Sequence, residues 1–573
     1  MSRKDRPVEA GGPTEQAQAA GAAEPRRGRT GEKVADWADA RLGHRTLAHV
    51  TLRRAVPDHW SYMLGQICLY SFLVLVVTGV YLTFYFHPSS EQVVYRGSHE
   101  PLRGLLVSEA FDSTMHISFD VRGGLLIRQA HHWAALIFVA ALFANMLRLF
   151  FTGAFRKPRE INWVLGFLLL ILAMFGGLTG YDLPDDLLSG TGLAVVNGTI
   201  LSVPIVGTYL SMFLFGGEFP GNDLVARFNT IHVLVLPALI AALFVARAAL
   251  SVRHRPAQHA GPGRTNENVV GIPLKVYAVK SAGYFFLVSG FIFFIAAFVQ
   301  INPVWDYGPY RPDQVSAGSQ PDWYMGVADG LLRVMPGWEL DFWGHTLALD
   351  NLVPLLVGVG LFLAMGAYPF IEAWATGDDR EQHLLDRPRN RPVRTALGAS
   401  WLSVYLVALI GAANDIIAIR LHVSVDDVTW AVRVGLFVVP LIVYFVTKRW
   451  ALGLQLRDRD KVLHGRETGV VKRLPNGEFV EVHEPLSQEE LHVLTAHEQY
   501  APLAVVPAAR AVYGTPVPAP ERAQRLRIGI SRALHGAGAQ VRKPTAREYT
   551  EITGRHVPDG DGSQKWDGEQ PPS

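Results

Sequence analysis

The chain has almost no cysteine: Cys68, inside an apolar run, is the single one in 573 residues. One cysteine excludes an internal disulfide, an iron–sulfur cluster held by this chain alone and a haem attached through thioether bonds. Charge is nearly balanced at +2, and composition gives no reason to expect nucleic acid as a partner. Any redox cofactor that this chain holds by itself must therefore use ligands other than cysteine.

Charge is also scarce in several long stretches, although the chain as a whole is only 49% hydrophobic. A helix needs about 20 apolar residues to cross the hydrocarbon core of a bilayer. Eight segments meet this requirement, and they lie near residues 61–86, 129–151, 161–181, 228–250, 281–301, 351–371, 395–417 and 428–447. The sequence therefore predicts an all-α, polytopic membrane protein with eight transmembrane helices.

A ninth apolar stretch, residues 187–217, is interrupted by Gly190, Gly198 and Pro204 and is predicted to lie at the membrane surface. With eight spans, the basic loops 156–159, 253–264 and 387–394 share one side with both termini. Since basic loops favour the cytoplasm, we expect a cell-membrane protein with both termini cytoplasmic. The first 50 residues lack an apolar core and are predicted to be a disordered cytoplasmic arm. Residues 451–573 are predicted to be a cytoplasmic extension, in which Ser487 begins a helix.

Two of the predicted spans carry a histidine near the same end, His131 (followed by His132) and His232. Ionisable residues inside a membrane are costly and usually functional. Two imidazoles at one depth on different helices have the chemistry to bind a haem iron from both faces. The alternative is a pair of buried histidines hydrogen-bonded to helix carbonyls.

Glycines accompany these histidines on two further spans. Gly65 and Gly79 lie on the first span, and Gly166 and Gly180 lie with the same spacing on the third. That spacing is just under four helical turns, so both glycines of a pair share one helix face. Such a face leaves room for a flat macrocycle, although it also suits plain helix packing. Two arginines lie at the ends of the second span, where they have the charge to meet haem propionates: Arg128 and Arg148.

This combination resembles the cytochrome b family of respiratory bc-type complexes, in the form found in actinobacteria. Further similar segments follow in the family's order: residues 180–184 (GYDLP), 320–324 (QPDWY), 335–339 (MPGWE) and 413–417 (ANDII). The resemblance implies a four-helix haem-binding core in residues 51–260 and a C-terminal membrane part in 261–450. It implies haem b with His131 and His232 as iron ligands, and Gly65, Gly79, Arg128, Gly166 and Gly180 around the cofactor.

The sequence departs from the family pattern at the inner haem. The family has a second histidine about four helical turns after the first on the second span, and another at the equivalent place on the fourth. Here these positions hold Asn145, Ala246 and Arg247. Asparagine is a poor iron ligand and a guanidinium has no lone pair to offer. We therefore expect one haem, at the outer level. Three states of the inner pocket remain open: an empty pocket filled by Arg247, a weakly held haem without histidine ligation, or a rerouted cofactor. In the first state Arg247 either reaches toward the membrane interface or pairs with Asn145 and backbone carbonyls.

The resemblance assigns quinol oxidation to the segment Pro321, Asp322, Trp323 and Tyr324, with Asp322 as the proton acceptor. Asp182 and Pro184 are expected in the opposite wall of the quinol pocket. The alternative is an ordinary cluster of aromatic residues at the membrane interface. It implies a menaquinol–cytochrome c oxidoreductase coupled to proton translocation, with a Rieske iron–sulfur subunit, a c-type cytochrome subunit, membrane lipid, a homodimer and a terminal oxidase as partners. A one-haem paralog that binds quinol or serves assembly or regulation is the second hypothesis. A transporter or channel that uses the charge of Arg247 to bind its substrate is a third and more distant one.

Overall fold

The structure is a computed structural model that describes residues 54–314, 321–496, 503, 522–535, 541, 542 and 545. The predicted N-terminal arm lies outside the described residues. Seventeen α-helices occur in the described part: α1 (Met63–Thr83), α2 (Glu109–Phe119), α3 (Gly124–Phe151), α4 (Glu160–Asp182), α5 (Leu187–Leu201), α6 (Gly207–Phe215), α7 (Leu224–Thr230), α8 (Leu236–Arg253), α9 (Leu274–Phe298), α10 (Val304–Tyr307), α11 (Gly326–Val334), α12 (Leu349–Thr376), α13 (Pro392–Gly411), α14 (Asn414–Leu421), α15 (Val425–His464), α16 (Gln488–Thr495) and α17 (Arg522–His535).

Eight helical segments of the described residues are long and apolar enough to cross a membrane: α1 with the preceding turn, α3, α4, α7 joined to α8, α9, α12, α13 and α15. The prediction of eight spans is confirmed. The ninth apolar stretch forms two shorter helices, α5 and α6, since glycine and proline interrupt it. Beyond its apolar part, α15 continues as one helix to His464.

The strands of the described part are short: β1 (Ala55–Val56), β2 (Gln92–Val94), β3 (Leu106–Ser108), β4 (Gln258–His259), β5 (Ile272–Pro273), β6 (Glu339–Phe342), β7 (His345–Ala348), β8 (Leu384–Leu385), β9 (Arg466–Arg473) and β10 (Phe479–Glu484). Three antiparallel hairpins, β2–β3, β6–β7 and β9–β10, decorate the loops. In the extension, Ser487 caps α16 and forms a capping box with Glu490, as the sequence predicts.

Four helices converge on the core that positions the site. Their buried side chains meet in one apolar cluster, to which α1 contributes Phe72, α3 contributes Phe138 and Leu142, α4 contributes Leu170 and α8 contributes Ile240. Because the helices pack side by side, residues at matching heights of different helices face one another across this core.

A buried ion network holds the loops at the opposite end of the molecule from His131. Oδ2 of Asp386 lies 2.7 Å from Arg394, 3.2 Å from Arg391 and 3.4 Å from Arg156. Burial raises the pKa of Asp386, but the three guanidinium groups outweigh it and hold that pKa well below its usual range.

Replacing Asp386 by Asn is expected to lower the free energy of unfolding by about 3–5 kcal/mol at pH 7, since it removes a buried negative charge that three arginines share. Because the folded-state pKa is depressed, the stabilisation is present above about pH 4 and is lost as the pH falls from there toward the folded-state value. Thermal unfolding of the detergent-purified protein measures both effects. The exposed Asp460, whose side chain is 62% accessible, gives the control variant D460N, which we expect to unfold as the wild type does. A D386N protein as stable as wild type at pH 7 would contradict the prediction.

Candidate functional site

Two imidazoles face each other across the four-helix core. His131 lies on α3, and His232 lies in a single π-helical turn, Ile231–Val235, between α7 and α8. Their ring centroids are 6.1 Å apart and the rings are inclined by 68°. A metal–imidazole bond is about 2 Å long, so two rings on opposite sides of one metal ion have centroids roughly 6 Å apart. The π turn is a feature found often at functional sites, and here it carries the second imidazole.

A threonine contacts the far nitrogen of each ring. Thr78 Oγ lies 2.9 Å from Nδ1 of His131, and Thr179 Oγ lies 3.2 Å from Nδ1 of His232. Both hydroxyls also donate to the carbonyl four residues earlier, at 2.7 Å and 2.9 Å. Since each hydroxyl proton is used there, the oxygen accepts from Nδ1–H, which leaves the lone pair of Nε2 in the inter-ring space. This is the tautomer and orientation that a metal-binding histidine needs.

The outer glycines form the cradle for these rings. A Cβ atom on Gly180 would lie 2.4 Å from Cε1 of His232, and one on Gly79 would lie 3.2 Å from Cε1 of His131. Neither side of the pocket therefore tolerates an added methyl group without moving an imidazole. At the inner level, a Cβ on Gly65 would meet no heavy atom within 4 Å.

Replacing Gly180 by Ala is expected to lower haem affinity by roughly 10–100-fold, the usual effect of disturbing the groups that orient a metal ligand. Gly65→Ala, on α1, is the matched control, and we expect full haem content there because no heavy atom lies within 4 Å of where its Cβ would be. The absorbance of bound haem per protein measures both variants. Equal haem loss in the two variants would show that the cradle does not act through His232.

Arg128 supplies a cation beside the imidazole pair. Its Nη2 donates to the carbonyl of Asn302 at 3.1 Å, and its guanidinium lies 5.6 Å from the centre of the Trp305 ring. Its Nε is buried and has no hydrogen-bond partner among the described residues. A buried donor without a partner is costly, and a propionate oxygen would satisfy it. The imidazoles, the glycine cradle and this orphaned donor together fit a haem b at the outer level.

The inner level has a different set of side chains. Arg247 Nη1 lies 2.9 Å from the point where a Cβ of Gly166 would be, and Met146 Sδ lies 3.0 Å from that point. Arg247 Nε donates to Asn162 Oδ1 at 3.0 Å, so the pairing with Asn145, one of the two predicted alternatives, is not found. Asn145 Oδ1 instead accepts two weak bonds of 3.4 Å from Arg148, one turn further along the same helix. Arg148 reaches Asn145 because residues i and i+3 lie on the same face of a helix.

The predicted quinol motif meets the imidazole pair in one cavity of about 250 Å³. Asp322, Tyr324, His131, His132 and His232 all line it. The Tyr324 hydroxyl donates to Oδ2 of Asp322 at 2.8 Å, and His132 Nε2 lies 3.2 Å from Oδ1. Tyr324 is buried against α4, since a Cβ on Gly177 would overlap its hydroxyl. Burial and the neighbouring Asp322 raise the pKa of Tyr324 well above its ordinary value, so its hydroxyl stays a hydrogen-bond donor.

Other predicted residues of this region lie around the cavity in different ways. Pro184 and Tyr181 belong to its wall, whereas Asp182 and Trp323 do not. Trp323 packs edge-on against Phe143 at 6.5 Å. Asp182 is buried, and its Oδ2 has no partner in the part of the chain that the structure describes.

The sequence-based prediction missed three contributors: Thr78, Thr179 and His132. The sequence does distinguish the two threonines, because each outer glycine is preceded by Thr (78–79 and 179–180), whereas the inner glycines Gly65 and Gly166 are preceded by Leu. Nothing in the sequence pairs His132 with Asp322, because 190 residues separate them.

A family model and two relatives that are similar to this chain carry the name cytochrome b. A family model described as "Cytochrome b(N-terminal)/b6/petB" matches residues 136–309. A protein of Streptomyces coelicolor named "Cytochrome bc1 complex cytochrome b subunit" is 59% identical over 544 residues, which are 93% of this chain and 98% of the relative. A protein of the same name from Mycobacterium tuberculosis is 50% identical over 456 residues, 79% of this chain and 83% of the relative.

A chain from a solved structure titled "Hyperthermophilic respiratory Complex III" has a TM-score of 0.54 at 20% identity. It covers 73% of this chain and 100% of its own length. At that identity the likeness supports the fold alone.

Proposed function

Because this chain belongs to the cytochrome b family of bc1 complexes, we propose that it oxidises a quinol in the outer cavity beside one haem b. The observation that carries the proposal is the continuity of that cavity. The two facing imidazoles and the carboxylate of Asp322 line the same space, so a bound quinol reaches an electron acceptor and a proton acceptor together.

The side chains divide the work as follows. Asp322 accepts the proton that leaves a quinol hydroxyl, because a carboxylate at the cavity wall is within reach of such a donor. Tyr324 holds one oxygen of that carboxylate. His131 and His232 would hold the iron of haem b, with Thr78 and Thr179 fixing their tautomers. When bound, haem b supplies one-electron chemistry at this point.

We further propose that the outer haem is the only one this chain binds. A haem at the inner level would have to displace the guanidinium of Arg247 from Gly166, and neither Asn145 nor Arg247 replaces an imidazole. The two levels are separated by roughly 21 Å, the length of about 14 residues that rise about 1.5 Å each. An electron from the outer level would have to cross that gap without a cofactor, so the transmembrane branch of the reaction is slow or absent.

The expected setting is a menaquinol–cytochrome c reductase in the cell membrane, with both termini in the cytoplasm. A Rieske iron–sulfur subunit and a c-type cytochrome subunit would carry the cofactors for which this chain has no cysteines. A homodimer and an attached terminal oxidase follow from the family resemblance.

A second function is favoured by Arg247 alone. A chain whose inner cofactor level is filled by its own side chain could serve as a quinol-binding assembly or regulatory subunit without turnover. Haem content does not separate the two functions, but steady-state reduction of cytochrome c does.

Two measurements test the proposal, one on the purified complex and one in cells. The pyridine haemochrome assay is expected to give one haem b per copy of this chain, and a ratio of two would refute the single-haem proposal. Menaquinol-dependent reduction of cytochrome c is expected to be slow in cells whose only cytochrome b subunit is this chain, because one of the two electrons of each quinol lacks an inner haem to carry it onward. Its absence, with the haem present, would leave the assembly or regulatory function.

A further inference from the structure

His132 and Asp322 connect a rigid helix to the loop that carries the quinol motif. Nε2 of His132 lies 3.2 Å from Oδ1 of Asp322, and the two side chains are 15% and 16% accessible. Asp322 itself lies in irregular backbone between residue 321 and the start of α11. A carboxylate on a loop is positioned less well than one on a helix unless another group holds it.

We propose that His132 is the positioning residue for the proton-accepting carboxylate, an inference that rests on the proposed quinol oxidation. Its Nε2–H fixes Oδ1 of Asp322, while the Tyr324 hydroxyl fixes Oδ2 at 2.8 Å. With one donor on each oxygen, the carboxylate plane has a single orientation at the cavity wall. Removing either donor lets that plane rotate.

The position of His132 next to His131 gives this arrangement a second consequence. Successive residues of an α-helix point about 100° apart, because about 3.6 residues make one turn. His131 therefore faces the ring of His232, and His132 faces the loop of residues 321–324. One turn of α3 fixes both the iron ligand and the carboxylate holder, so the distance between electron acceptor and proton acceptor is set by a rigid element.

Tyr181 completes the surroundings of His132. Its ring meets the imidazole edge-on, with centroids 6.4 Å apart at 89°. This contact comes from α4, the helix that also carries Gly177 against the Tyr324 hydroxyl. The two donors of Asp322 are thus braced by the same neighbouring helix.

The test compares H132A, H132Q, D322N and the double variant H132A/D322N in the assembled complex. We expect H132A to lower kcat for quinol oxidation by about 10–100-fold, the effect of losing one hydrogen bond to a charged group, with little change in KM. H132Q keeps an N–H donor and should recover most of the rate. If His132 acts through Asp322, the double variant is no slower than D322N, whereas independent roles would give additive losses. An additive result, or an unchanged kcat in H132A, overturns the inference.

Two controls separate this inference from others. His116 also pairs with an aspartate, Asp120, at 3.5 Å, but on an exposed surface, so H116A should retain the wild-type rate. Haem content of H132A must equal that of wild type, which shows that His131 has kept its place.

A measurement without turnover distinguishes the failure of this inference from the failure of the proposed function. The carboxylate stretching band that disappears in D322N should shift in H132A and return in H132Q, whether or not quinol is oxidised. A band that does not move in H132A refutes the positioning role. If the wild-type complex oxidises no quinol but the band still shifts in H132A, the proposed function is refuted, whereas the contact between His132 and Asp322 is supported.

Discussion

Replacing Asn145 and Arg247 together by histidine is expected to raise the haem content from one to two per polypeptide. The two positions lie about four helical turns beyond His131 and His232, on the same two spans. The guanidinium of Arg247 lies against Gly166, which shows that a side chain at 247 points into the inner space. No heavy atom within 4 Å would obstruct a Cβ on Gly65, so the first helix also leaves room there. The double substitution adds both ligands and removes the guanidinium in one step.

Three variants serve as controls for this experiment. N145H and R247H each supply one imidazole, and we expect a ratio close to one because a single ligand holds haem poorly at this depth. R247A removes the side chain that fills the pocket and adds no ligand, and it should also stay at one. Pyridine haemochrome and a redox titration report the number of haems and a second midpoint potential. A ratio of one haem per polypeptide in N145H/R247H would mean that residues other than these two also prevent haem binding at the inner level.

Replacing Asp322 by Asn is expected to slow quinol oxidation by about 10²–10⁴-fold, the range for removing a general base. The amide keeps the size of the side chain and still accepts from the Tyr324 hydroxyl, but it does not take up a proton. Haem content should not change, because His131 and His232 do not contact the substituted group in any hydrogen bond of the described residues.

The matched control for D322N is Asp341→Asn. Asp341 is exposed on the hairpin β6–β7, where its side chain accepts a hydrogen bond from Thr346 at 2.6 Å. We expect wild-type turnover in that variant. If D322N retained more than about a tenth of the wild-type rate, another group would have to accept the proton, and the role given to Asp322 would fall.

Arg247 also raises a question of membrane energetics. A charged side chain at mid-membrane costs about 2.5–3.5 kcal/mol on insertion scales unless it is paired or reaches the interface. Here the guanidinium has one hydrogen bond, to Asn162, and no carboxylate partner among the described residues. The contact with Asn162, in the first turn of α4, draws it toward the end of that helix and limits the cost.

The amino-acid sequence is enough to predict the features that depend on residues close together in the chain. Eight apolar segments of about 20 residues predict the spans, because hydrocarbon thickness and helix rise are fixed quantities. The family followed from motifs in their order, and the relatives confirm it. The spacing of the glycines predicts an outer and an inner cofactor level on one helix face. The lack of inner histidines is visible in the sequence, because Asn145 and Arg247 occupy the places of the inner ligands.

Which side chains meet depends instead on how the helices pack. Arg247 binds Asn162 on another helix, because a long side chain takes the rotamer that its neighbours leave open. The pairing of His132 with Asp322 joins residues 190 positions apart. The Thr78 and Thr179 contacts, which set the imidazole tautomers, likewise exist only once α1 meets α3 and α4 meets the π turn. Spacing along a chain fixes the height of a residue on its helix, but the packing of helices fixes its partner.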